Sequence, residues 1–238
     1  MIVKTLLILA GGRGTRFKEL TDSIPKPMIK ANGYPLIDYI INHYVNFGVN
    51  EVVILAGYKK EIIEDYYLKK DPKNFPSKLK IKVLDTGVDT GTAGRIKMGI
   101  ETLENQHFYL TYGDGIANVD IKSLTNFHFQ NETLGTVTAV RPPARFGSLT
   151  IEGNYVTTFA EKNQVDEGFI NGGFFILNKN IKNYLNSYSE PFEQEPLRKM
   201  ASNGELKAFK HNGYWRPVDT IRELEILEKD LKNKKIFT

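Results

Sequence analysis

Short apolar runs alternate with amphipathic stretches through the first half of the chain. Residues 2–10 (IVKTLLILA) form an apolar run that ends in glycines, the pattern of a strand buried on both faces. Residues 36–47 place Leu36, Ile37, Ile40, Ile41, Tyr44 and Phe47 at helical spacing, and residues 51–56 (EVVILA) give a second buried strand. A helix over 60–67, a strand over 79–84, a helix over 92–103 and a strand over 107–111 continue the alternation. Strands that alternate with helices predict an α/β fold, a mostly parallel sheet covered on both faces.

After Asp114 the pattern changes. A helix is expected over 121–129, then short β-rich runs at 136–140, 148–151, 156–159 and 172–177, with Gly153-Asn154 as a hairpin signal. Helical texture returns at 192–201 and 220–231, and the charged tail 229–235 reads as a solvated helix end. No internal repeat or linker interrupts the chain. The expectation is one domain over 1–238 with a small β-rich C-terminal elaboration.

Composition narrows the chemistry. Hydrophobic residues at 41% and charged residues at 25% are those of an ordinary globular protein. A net charge of +4 suits a phosphorylated substrate and is too small to argue for nucleic acid. The absence of cysteine excludes disulfides, thiolate zinc sites and cysteine nucleophiles, and four scattered histidines make a histidine-rich metal site unexpected. The apolar runs fall far below the ~20 residues of a membrane span. The run at the start, preceded only by Lys4 and followed by a glycine-rich loop, does not read as a signal peptide. The expected location is the cytoplasm, with no membrane partner.

The loop after the first strand reads Leu9-Ala10-Gly11-Gly12-Arg13-Gly14-Thr15-Arg16. Glycines at the carboxyl end of a strand let the backbone approach a phosphate, and free N–H groups there bind anions. The dinucleotide fingerprint fails, because its third glycine would fall on Phe17, and the P-loop fails for want of a Gly-Lys pair. A tight turn is the plainer explanation of the glycines, but two arginines in the loop favour phosphate. Pro25-Lys26-Pro27 then holds a lysine in a stiff segment, since Pro27 pushes Lys26 toward an extended conformation. An ordinary loop could carry the same residues.

The strings LAGGRGTR and PKPM resemble the signature of sugar-1-phosphate nucleotidyltransferases, which join a nucleoside triphosphate to a sugar phosphate and release pyrophosphate. Further matches are Asp85-Thr86-Gly87 with Thr92 to Arg95, TYGDG at 111–115, RFG at 145–147, Glu161-Lys162, INGGFF at 170–175, EQEPL at 193–197, and Trp215 with Asp219. TYGDG, INGGFF and EQEPL together resemble the cytidylyl branch, and the likeness runs from about 7 to about 222. The resemblance implies a Rossmann-like mixed sheet, with a nucleotide-binding half over 1–115 and a sugar-phosphate-binding half over 116–238. It implies transfer of a cytidylyl group from CTP to a sugar 1-phosphate, with Mg²⁺ as cofactor, and it allows a homo-oligomer.

Such a reaction needs no general base, because a phosphate monoester is already largely dianionic near neutral pH, with a second pKa of about 6. It needs two anions aligned and their charge neutralised. Asp114, between Gly113 and Gly115 at a strand end, suits Mg²⁺, and the resemblance adds Asp219 as a second carboxylate. Asp114 also suits a plain turn. Asp219 also suits the N-cap of the last helix, where Thr220 and Glu223 have capping-box spacing. The resemblance further gives Arg16 to the β and γ phosphates, Lys26 to the α-phosphate, and Lys162 to the sugar phosphate. Tyr112, Gly113, Glu161, Asn171 and Gly172 would line the sugar pocket. Leu9, Ala10, Gly11, Gly12, Gly14, Thr15, Thr92 and Arg95 would bind nucleotide, Arg95 donating to a cytosine carbonyl.

One departure stands out: the segment 69–80 is shorter than its counterpart in enzymes that make CDP-glucose. Another nucleotide (GTP, UTP or dTTP) with a heptose or other sugar phosphate is the alternative reaction. A glycosyltransferase would be expected to carry D-x-D where this chain has Gly113-Asp114-Gly115, and a silent nucleotide-binding regulator should lack Arg16, Lys26 or Asp114.

Overall fold

The side chains of the first strand, β1 (Thr5–Ala10), divide between two cores. Leu6, Ile8 and Ala10 enter one, Leu7 and Leu9 the other, as a period of two requires. A computed structural model describes residues 3–69, 75–142, 148–160, 168–233 and 236. Along the chain β1 is followed by α1 (Lys18–Thr21), the short ribbon β2 (Lys30–Ala31) and β3 (Tyr34–Pro35), and α2 (Leu36–Val45). Next come β4 (Glu51–Ala56), α3 (Lys60–Glu64), β5 (Lys80–Asp85), α4 (Thr92–Glu101), β6 (His107–Tyr112) and β7 (Gly115–Ala117). The remainder is α5 (Ile121–Gln130), β8 (Gly135–Val140), β9 (Ser148–Glu152), β10 (Tyr155–Ala160), β11 (Ile170–Asn178), α6 (Glu195–Ser202), β12 (Leu206–His211), β13 (Trp215–Pro217) and α7 (Ile221–Lys232).

Seven strands form one sheet in the order β12-β8-β11-β6-β1-β4-β5. The pairs β1–β4, β1–β6, β4–β5 and β8–β12 are parallel, and β11 runs antiparallel to both of its neighbours. The expected mixed, mostly parallel sheet is therefore present. Much of the β-rich second half completes this sheet, while β9 and β10 pair as a separate hairpin.

Each face of the sheet is covered by an apolar helix stripe. On one face Leu36, Ile37, Ile40, Ile41 and Tyr44 of α2 pack with Ile8, Ile54 and Phe174, and Leu227 of α7 joins them. On the other Ala93, Ile96 and Ile100 of α4 pack with Leu7, Leu55, Phe108 and Phe175. Truncating one of these, such as Ile8 to alanine, costs about 2–5 kcal/mol. The rigid result is a row of parallel strand ends, β1, β4 and β6, with loops gathered at their carboxyl edge.

Elements legible in the pattern sit close to their expected bounds, with exceptions among the helices and the short strands. The expected helix over 60–67 is α3 followed by a π turn over Asp65–Lys69. The helix expected from 192 begins at Glu195, after the buried Phe192. The strands β2, β3, β7, β12 and β13 had no counterpart in the sequence pattern.

Candidate active site

β1 delivers the glycine-rich loop to the carboxyl edge of the sheet. The Gly113 N–H donates to Leu9 O at 3.0 Å and the Tyr58 N–H to Gly11 O at 3.1 Å, which fixes the loop between two neighbouring strand ends. Gly14 has φ of 62°, a left-handed conformation that costs a glycine little. Its carbonyl accepts from the Thr21 hydroxyl at 3.1 Å and from the Phe17 N–H at 2.9 Å. Thr15 and Arg16 stand in the 3₁₀ turn Thr15–Phe17. The side chain of Arg16 lies outside the described residues, as do Glu161, Lys162 and the RFG string at 145–147.

Lys26 opens a 3₁₀ turn, Lys26–Met28, entered through an extended Pro25. The Met28 N–H donates to Pro25 O at 2.8 Å and the Ile29 N–H to Lys26 O at 3.1 Å. Pro27 lies against Gly113, where a Cβ would come within 2.7 Å of the proline ring. The proline pair thus seats Lys26 beside the end of β6. Its side chain is only 9% exposed, and its ammonium donates to Asp114 Oδ2 at 2.5 Å and to Asp219 Oδ1 at 2.6 Å.

Asp114 and Asp219 meet because of a ribbon the sequence reading did not contain. β7 and β13 pair antiparallel, Gly115 opposite Pro217, and the Val218 N–H then donates to Asp114 O at 3.0 Å. That ladder sets the two aspartates side by side at its end. The two readings of Asp219 separate cleanly. Thr220 caps α7, its hydroxyl accepting from the Glu223 N–H at 3.2 Å, while Glu223 Oε2 accepts from the Asp219 N–H at 2.8 Å. The capping box uses the backbone of Asp219 and leaves its carboxylate to Lys26.

A cleft of about 570 Å³ joins these parts. Leu9, Ala10, Gly11, Gly12, Gly14, Thr15, Lys26, Thr92, Arg95, Tyr112, Gly113, Asp114 and Asp219 all border it. Asn171 and Gly172 are not among the residues that border it. Asn171 Nδ2 approaches the Tyr112 hydroxyl at 3.4 Å, and the Trp215 indole N–H donates to Gly172 O at 2.7 Å.

Arg95, expected at the base, borders the cleft and is also held by the backbone around it. The residue is 3% exposed, and its guanidinium donates to the carbonyls of Gly11, Ala56, Gly87 and Val88 and to the Thr86 hydroxyl. Through those bonds it braces the glycine-rich loop against the turn after β5. Gly11 is what admits it: a Cβ there would lie 2.0 Å from Arg95 Nη1.

Glu193 is a cleft residue that the sequence quoted only inside EQEPL and gave no role. It borders the cleft, and its carboxylate accepts from the Tyr112 hydroxyl at 2.5 Å and the Thr92 hydroxyl at 2.7 Å.

A glycine-rich loop at strand ends, with a buried lysine bound to two converging carboxylates, is an arrangement for handling phosphates and a cation. This chain belongs to the nucleotidyl transferase family, whose model matches residues 5–234, and is an enzyme of that class. The resemblance read from LAGGRGTR and PKPM is borne out. Among its relatives, the probable glucose-1-phosphate cytidylyltransferase of Bacillus subtilis (strain 168) is 40% identical over 235 residues, 92% of each chain. The glucose-1-phosphate cytidylyltransferase of Salmonella typhi is 38% identical over 240 residues, 93% of each chain. Among solved structures, HddC from Yersinia pseudotuberculosis complexed with GMP-PN superposes with a TM-score of 0.77 at 27% identity, covering 96% of this chain and all of that one.

Proposed function

We propose that this enzyme transfers a cytidylyl group from CTP to a sugar 1-phosphate, glucose 1-phosphate first, giving a CDP-sugar and pyrophosphate. The observation that carries the reading is the convergence of Lys26, Asp114 and Asp219 beside the glycine-rich loop. The 38–40% identity to cytidylyltransferases over nearly the whole chain supports the choice of nucleotide and sugar.

In this reading an oxygen of the sugar phosphate forms a bond to the α-phosphorus of CTP. The bond from that phosphorus to the bridging oxygen breaks, and pyrophosphate leaves with the electron pair. The backbone N–H groups of the loop from Leu9 to Thr15 hold the triphosphate, and Arg16 meets its β and γ phosphates. Lys26 turns from the carboxylates toward the α-phosphate and neutralises charge that builds in the transition state. Lys162 binds the incoming phosphate, and Glu161, Asn171 and Gly172 hold the sugar.

Asp114 and Asp219 fit Mg²⁺. Both carboxylates lie within hydrogen-bond reach of one ammonium, so they converge on one cation position. Mg²⁺ characteristically takes one or two protein carboxylates and fills its other positions with phosphate oxygens and water. When bound, the ion would supply charge neutralisation between the phosphates. The sheet edge then divides the work between a nucleotide half over 1–115 and a sugar-phosphate half over 116–238, with Asp219 crossing the seam. We place the reaction in the cytoplasm, where nucleoside triphosphates are available.

A second reading, a guanine nucleotide in place of CTP, is favoured by the likeness to HddC bound to GMP-PN. Pyrophosphate release with CTP, GTP, UTP, dTTP and ATP against hexose and heptose 1-phosphates decides between them. Preference for CTP with glucose 1-phosphate is expected, and preference for GTP would replace the first reading with the second.

A further inference from the structure

The segment from Tyr188 to Glu193 folds over the N-terminus of α4. The Gly91 N–H donates to Tyr188 O at 2.8 Å, the Ala93 N–H to Glu190 O at 3.1 Å, and the Phe192 N–H to the Thr92 hydroxyl oxygen at 2.7 Å. Phe192 is fully buried against Phe175, with ring centroids 5.8 Å apart, and pins the segment to the core. The next residue, Glu193, therefore leaves a fixed backbone at the rim of the cleft.

An exposed glutamate ordinarily keeps its rotamer freedom. This one is held from two sides, by Tyr112 at the end of β6 and by Thr92 at the start of α4. The Tyr112 hydroxyl lies 2.5 Å from one carboxylate oxygen of Glu193 and donates to it. Each carboxylate oxygen has two lone pairs, and each uses one on these hydroxyls. A second acceptor site on each oxygen remains for a group in the cleft.

The chemistry of that group follows from charge and position. A carboxylate repels phosphate and accepts from hydroxyls. The hydrogen-bonded chain Asn171–Tyr112–Glu193 connects it to β11, the strand that carries Asn171 and Gly172 of the proposed sugar side. We infer that Glu193 is a specificity-determining residue that accepts a hydrogen bond from a ring hydroxyl of the sugar phosphate. Tyr112 and Thr92 act as positioning residues that aim it. The inference rests on the proposed reaction and names one group that selects its sugar.

The test measures KM separately for glucose 1-phosphate and CTP in the wild type, Glu193→Ala, Glu193→Gln and Tyr112→Phe, with thermal melts of each. Glu193→Ala should raise KM for glucose 1-phosphate about tenfold to a hundredfold, the worth of a hydrogen bond to a charged group, and leave KM for CTP within about twofold. Glu193→Gln keeps an acceptor and should recover part of the loss, and Tyr112→Phe should shift the same constant by less. Among deoxy analogues of glucose 1-phosphate, the one lacking the contacted hydroxyl should be disfavoured by the wild type and tolerated by Glu193→Ala. Equal KM changes for both substrates, or a change for CTP alone, would overturn the inference, as would unchanged constants in a stably folded Glu193→Ala. A wild type that releases no pyrophosphate from CTP with any sugar phosphate would overturn the proposed reaction and the inference together.

Discussion

Lys26 and Asp219 are separated by 193 positions in the chain, yet the ammonium of one lies 2.6 Å from the carboxylate of the other. With Asp114 at 2.5 Å on its other side, Lys26 occupies the point on which both carboxylates converge. Its ammonium thus bridges the two carboxylates. In the proposed reaction a metal ion would take that point and the lysine would turn toward the substrate.

Replacing Lys26 with alanine should reduce turnover by at least ~10²-fold, the loss expected when a group stabilising transition-state charge is removed. It should also leave Asp114 and Asp219 facing each other without their shared cation. The melting temperature of Lys26→Ala should therefore rise more on adding Mg²⁺ than that of the wild type. Calorimetry with and without the ion checks this, and an equal rise in both proteins would contradict it.

Thr220 and Asp219 are neighbours with separate tasks. Thr220→Ala removes the hydroxyl that accepts from the Glu223 N–H and should cost about 1 kcal/mol of stability. Its effect on turnover should be much smaller than that of Asp219→Asn, which keeps the backbone N–H that Glu223 accepts. Denaturant melts and initial rates on the two variants separate cap from site.

Arg95 as a brace makes a different prediction from Arg95 as a base reader. Arg95→Met strips donors from several buried carbonyls and should cost at least ~2 kcal/mol. The order of preference among the five nucleotides should survive in whatever activity remains. Gly11→Ala should resemble it, because the new methyl occupies the guanidinium's place. A selective loss of CTP over UTP in Arg95→Met would restore the direct contact.

Acid should loosen the fold through His128. Burial, with a smaller contribution from the nearby His107, lowers its pKa from 6.5 to about 4, and its Nδ1 lies 2.9 Å from the Thr136 hydroxyl. Below about pH 6.5 the unfolded chain binds a proton here that the folded chain refuses. Stability should be fully present above that value and fall as the pH drops toward 4, by an amount on the order of 3 kcal/mol. Denaturant melts from pH 7.5 to 4 should show the slope, and His128→Asn should flatten it.

The sequence pattern and the site differ in how far they could be read. The buried strands and the helices α2, α4, α5 and α7 announced themselves because one core stripe sets their spacing. β12 did not, because LKAFKH is a partly exposed edge strand carrying two lysines, a composition that protects an edge and hides its periodicity. β7 and β13 are three residues each, too short for alternation to register. Their pairing is what joins Asp219 to Asp114, so that junction was available only through family resemblance. Lys26 was legible as a stiffly held lysine, but its partners were not. The bracing role of Arg95 was not legible, because sequence gives residue type without burial. Glu193 had no signal of its own, since its orientation comes from Tyr112 and Thr92, both distant in the chain.

The account turns on Asp114 and Asp219 serving as one cation site for nucleotidyl transfer. The direct measurement is pyrophosphate release from CTP and glucose 1-phosphate as a function of Mg²⁺, in the wild type and in Asp114→Asn. The wild type should depend on the ion, and the variant should need at least about tenfold more Mg²⁺ for half its maximal rate, or lose turnover entirely. Superimposable titration curves from the two proteins would contradict the account.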